Sequence, residues 1–136
     1  MVYTKRLIIS VILGMIAGLV CALLSKPSLM AQLPAEMVPG VMCNTALNRT
    51  FIGFMIGISC WRMHWTLHGI IIGFLGSLPI SAPLIAQPDG VIVFVMMTVG
   101  GAVWGFLIEL FTTVVFKAPM RTIEAAPVPA PAPPSE

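Results

Sequence analysis

"VIVFVMMTVGGAVWGFLIELFTTVVF", residues 91–116, is a long apolar run with a single ionisable side chain, Glu109. Coiled as a helix it reaches about 39 Å, more than the ~30 Å hydrocarbon layer of a bilayer requires. A soluble domain has little use for an apolar helix of that length, so the rest of the chain is read with lipid as its solvent. The composition agrees: 58% of the 136 residues are hydrophobic and 9% are charged, with a mean hydropathy of +1.01. Soluble domains carry roughly a quarter of their residues as charges.

Outward from this run, three more apolar segments appear. Residues 7–24, "LIISVILGMIAGLVCALL", are uncharged and fenced by Lys5 and Arg6 before and Lys26-Pro27 after. A second segment covers about 40–61, its clean apolar part starting at Thr50, and a third covers about 65–86, broken near its end by Pro79 and Pro83. With 91–116 they predict an all-α polytopic membrane protein, a compact bundle of four transmembrane helices. The first segment is read as a permanent span: its apolar run exceeds a signal-peptide core, and no clean A-x-A site follows. Residues 122–136, "TIEAAPVPAPAPPSE" from Thr122, alternate proline with alanine and predict a disordered or polyproline-like cytoplasmic tail.

The positive-inside rule orients the spans. If they alternate, Lys5, Arg6, Arg62, Lys117 and Arg121 share one side, while Lys26 falls on the other with Glu36 and Asp89. Both termini are then cytoplasmic, in a plasma or inner membrane. The net charge of +2 is too small to indicate nucleic acid as a partner.

Every span holds two glycines one turn apart: Gly14 and Gly18, Gly53 and Gly57, Gly69 and Gly73, Gly101 and Gly105. Lipid gives helices little hydrophobic reason to associate, so close backbone approach at small residues supplies much of the packing. The expectation is glycine-lined seams between helices. "TFIGFMIG" from Thr50 and "TVGGAVWG" from Thr98 share a threonine and two glycines at equal offsets, and "RLIISVILG" echoes "RTFIGFMIG", a pattern a tandem repeat of hairpins would leave.

Charges at membrane depth carry the functional signal, because each is costly unless it faces the interior. Arg49, Gly53 and Gly57 recur every four residues, as do Gly101, Gly105 and Glu109, which places each charge on the glycine face of its helix. Counted from Trp61 and from Lys117, the two lie about 18 Å and about 12 Å above the same boundary, a gap one arginine side chain spans. The spacing predicts an intramembrane Arg49–Glu109 ion pair beneath a polar cleft carrying Asn44 and Asn48. The alternatives are Arg49 snorkelling outward and Glu109 meeting His68.

Cys60, His64 and His68 in "SCWRMHWTLHG", residues 59–69, have ligand-like spacing for one helix. A continuous helix from Thr50 to Leu78 would run about 44 Å and bury Arg62, so a turn near Trp61–His64 is expected instead. That turn removes Cys60 from the histidine stripe. His64 and His68 remain as pH-responsive or interfacial candidates, and neither a metal nor a cofactor is expected.

Catalytic motifs such as G-x-S-x-G, G-x-x-x-x-G-K and H-E-x-x-H are missing from the sequence, so no enzymatic activity is expected. The reading that follows is an accessory or scaffold subunit of a larger membrane-protein complex or homo-oligomer in the lipid bilayer. The alternative is a small oligomeric channel or transporter using Arg49, Glu109 and His68.

Overall fold

The structure, a computed structural model, describes residues 2–32, 34–61, 63–86 and 90–118. The proline-rich tail, Arg62, Asp89 and Arg121 lie outside the described residues. Among the described residues four α-helices follow one another: α1 (Val2–Gln32), α2 (Val38–Ile58), α3 (Trp65–Ser81) and α4 (Gly90–Leu110). A 3-10 turn, Ala82–Ala86, extends α3, and a π-helical turn, Phe111–Val115, extends α4. No strand occurs among the described residues.

Helix ends follow local chemistry with one exception. Pro39 sits in the first turn of α2, where a missing N–H costs nothing. Ser59 turns extended and ends α2, and the His64 side chain caps α3 by accepting from the Thr66 N–H at 3.4 Å. The turn expected near Trp61–His64 is therefore present, with Cys60 outside both helices. The exception is α1, which runs through Lys26 and Pro27 to Gln32 instead of ending at Leu24. Ser25 Oγ donates to the carbonyls of Cys21 and Ala22 at 2.9 and 3.1 Å just before that proline.

Two antiparallel pairs form the core of the architecture, α1 with α2 and α3 with α4, and α2 also touches both α3 and α4. All eight paired glycines are buried where these helices meet. A Cβ at Gly14 would lie 2.7 Å from the Arg49 carbonyl oxygen, and one at Gly18 would lie 2.6 Å from that of Ala46. In the second pair, a Cβ at Gly73 would collide with the Gly101 carbonyl. Backbone cannot retreat as a flexible side chain does, so these positions set the interhelical distance. Ala17, Ile52, Ile56, Ile72 and Ile108 fill the apolar centre.

Outer faces are apolar on every helix: Leu24 is 73% exposed, Leu47 62%, Leu67 54% and Met96 72%. Among the described residues two segments are long and apolar enough to cross a membrane, Thr4–Ala31 and Gly90–Val115, while α3 is apolar but shorter. What lowers the apolar character of α2 is its own polar run, Asn44, Thr45, Asn48, Arg49 and Thr50. Of these, Asn48 and Arg49 are turned inward and buried.

Candidate functional site

Serines and threonines inside these helices bond first to their own backbone. Ser77 donates to the Gly73 carbonyl, Thr98 to that of Phe94 and Thr112 to that of Ile108, at 2.9, 2.8 and 2.7 Å. This i−4 bonding satisfies a hydroxyl without water. Charged groups need more, and the interior holds them at two levels.

At the lower level stands Glu109, fully buried on α4. Gly69 makes room for it: a Cβ there would lie 2.6 Å from the Glu109 Cβ. Arg6 of α1, 2% exposed, donates through Nη2 to Oε1 at 2.8 Å and to Oε2 at 2.9 Å. Thr113 donates to Oε1 at 2.6 Å, and His68 Nδ1 meets Oε2 at 3.1 Å. Each carboxylate oxygen thus accepts twice, which uses the roughly four lone-pair sites the group has. Arg6 is itself tied down, its Nη1 donating to the Ala118 carbonyl at 2.8 Å and to Thr113 at 3.1 Å, and its Nη2 to the Ile56 carbonyl at 3.5 Å.

The π-turn helps assemble this cluster. Phe116 N–H bonds to Phe111 O and Ala118 N–H to Thr112 O, which wraps the chain end back over α4. The Ala118 carbonyl is thereby presented to Arg6. With its hydrogen on Nδ1 facing the carboxylate, His68 leaves Nε2 as an acceptor, buried and without a partner among the described residues.

At the upper level Asn48 and Arg49 of α2 face α3. Asn48 Nδ2 donates to the Gly76 carbonyl at 3.0 Å, fixing its Oδ1 to accept from Arg49 Nη1 at 2.6 Å. Arg49 Nη1 also reaches Ser77 Oγ at 3.4 Å, and its Nη2 lies beside Gly100, 3.7 Å from where a Cβ would stand. Arg49 is 4% exposed, its Nε has no partner, and it forms no ion pair among the described residues. One turn up, Ser81 and Thr98 hydroxyls meet at 3.1 Å.

The expected Arg49–Glu109 pair is therefore corrected: Glu109 pairs with Arg6. Arg6 bonds to Ile56 of α2, so on that helix Glu109 stands level with Ile56, seven residues or about 10 Å from Arg49. Measuring depth from Trp61 placed the two charges too close, because α2 ends at Ile58 and the chain beyond it is extended. Contact between His68 and Glu109, the alternative weighed from sequence, is present. Asn44 is exposed and does not join Asn48, and His64 is exposed at the cap of α3.

Arg6, Thr113 and Ser77 are among the polar residues that sequence reasoning passed over. Arg6 read as a flanking anchor, yet Arg6, Ser10, Gly14 and Gly18 recur every four residues as the other charged stripes do. Extending that stripe one turn outward finds it. Between the two levels lie Ile52 and Ile72, both buried, and no hydrogen bond among the described residues links one cluster to the other. No group of three His, Cys, Asp or Glu side chains converges among the described residues. Comparison with family models, curated proteins and solved structures found no match.

Proposed function

We propose that this chain is a multi-pass integral membrane protein whose four helices all cross the bilayer, and that it serves as an accessory or scaffold subunit of a larger membrane assembly or oligomer. The observation that carries this reading is the saturation of Glu109, whose four accepted bonds join α1, α3 and α4. A carboxylate with every lone pair engaged acts as a joint. It has no capacity left for a transported cation, and the apolar layer of Ile52 and Ile72 interrupts any polar route above it.

Four crossings are supported by where the polar residues point. For a membrane helix the lipid-facing side decides insertion, and α2 directs Asn48 and Arg49 inward while Leu47, Phe51 and Phe54 face out. The 3-10 turn lengthens α3 by about 10 Å, bringing it to bilayer thickness. Lys5 and Lys117 are exposed at the same end as Arg6, which fits cytoplasmic termini in a plasma or inner membrane.

Resistance to alkaline carbonate extraction tests membrane insertion. Labelling of the free cysteines Cys43 and Cys60 by an impermeant maleimide from each side of sealed vesicles tests the topology. Opposite-side reactivity supports the four-span arrangement, and same-side reactivity counts against it.

A small channel or transporter is the second reading, favoured by the unpartnered His68 Nε2 beside Glu109. Glu109→Gln separates the two: loss of proton or ion flux with assembly intact supports transport, whereas loss of assembly alone supports the joint.

A further inference from the structure

Two arginines and one carboxylate are buried among the described residues, and the carboxylate is taken by Arg6 together with Thr113 and His68. Arg49 is left with neutral partners, Asn48 and Ser77, an unpartnered Nε, and an Nη2 directed toward Gly100. It sits near the midpoint of α2 and, through Gly100, near that of the Gly90–Val115 span. A cation roughly 15 Å from either membrane surface is among the most expensive side-chain placements known.

The geometry points to Arg49 as a docking site for a carboxylate carried at mid-bilayer by a helix of a different chain. This deepens the accessory-subunit reading and rests on it. Depth excludes lipid headgroups, which remain at the interface. A second copy is excluded by inventory: the acidic residues are Glu36, Asp89, Glu109, Glu124 and Glu136. Among the described residues only Glu109 lies within an apolar helix, and it is buried and saturated, while Asp89 stands in "QPDG" and Glu124 and Glu136 in the proline-alanine stretch of the sequence.

Arg49 is 4% exposed, and the nearest approach to its Nη2 is past Gly100 on α4. Gly100 offers no side chain to block the guanidinium, and it is only partly buried. One turn further, Trp104 and Leu107 join Leu13 and Ala17 of α1 in lining a wholly apolar groove on the same face. A partner helix lying there seats apolar side chains in the groove and brings one Asp or Glu to Arg49. The pair then forms in a medium where neither charge has an alternative partner.

The test uses the full chain in vesicles of dioleoylphosphatidylcholine, with energy transfer to a synthetic leucine-alanine helix bearing one central Glu or, as control, one central Gln. Wild type is expected to bind the Glu helix about tenfold more tightly than the Gln helix. Arg49→Gln should erase that preference. Because Arg49→Gln also disturbs Asn48, Gly100→Leu provides a second variant, which covers the guanidinium while retaining it. The preference should be lost there too, with helicity unchanged by circular dichroism. Equal affinity of wild type for both helices, or a preference surviving in Arg49→Gln, overturns the docking site. Release of wild type by a carbonate wash overturns the membrane reading beneath it instead.

Discussion

Arg6 and Arg49 are both buried arginines on neighbouring helices, and they are held in opposite ways. Arg6 meets Glu109 directly, and its guanidinium bonds to Thr113 and two backbone carbonyls. Arg49 has an amide oxygen and a hydroxyl. A charge paired inside a fold is a mutual dependency: removing either partner strands the other. A charge held by neutral dipoles strands little when it goes. The contrast separates a residue that joins helices from one that holds binding capacity in reserve.

The largest effect is expected at the joint. Arg6→Met or Glu109→Gln should each destabilise the fold by about 3–5 kcal/mol, read as loss of helicity on titration with SDS in mixed micelles. The double variant Arg6→Met/Glu109→Met should cost less than either single change, since no unpaired charge remains. Additive losses would break the pairing argument.

Next come the close helix approaches. Gly73→Val should cost about 1–3 kcal/mol in the same titration, because its side chain meets the Gly101 carbonyl, which cannot move aside. Thr113→Val removes a hydroxyl that bonds both members of the ion pair, and a loss of about 1–2 kcal/mol is expected. The smallest change belongs to Arg49→Met. Relief of the buried charge offsets the orphaned Asn48 oxygen, leaving stability within about 1 kcal/mol of wild type. A loss at Arg49 as large as that at Arg6 would erase the distinction between the two sites.

Much of the candidate site was legible in the chain by counting in fours. Glu109 stands on the stripe of Gly101 and Gly105, Arg49 on that of Gly53 and Gly57, and all six residues are buried. Periodicity reports which face of a helix a residue occupies, and faces survive into the fold because each buries its small residues. Periodicity does not report how far one helix slides along another. The slide is fixed by contacts such as Gly14 against the Arg49 carbonyl and Gly18 against Ala46. An error of less than one turn in that slide, a gap of about 10 Å where about 6 Å was expected, was enough to give Glu109 the wrong arginine.

Sequence alone determined that this is a helical, strongly apolar chain, that it turns between α2 and α3, and that Glu109, Arg49 and the paired glycines face inward. Those follow from composition, caps and a period of 3.6, all local in origin. Only the tertiary structure decided that Arg6 and His68 share Glu109 while Arg49 meets no carboxylate among the described residues. Partnership between charges depends on depth to within a side chain's reach. Depth is a property of packed helices, settled by backbone contacts between residues far apart in the chain.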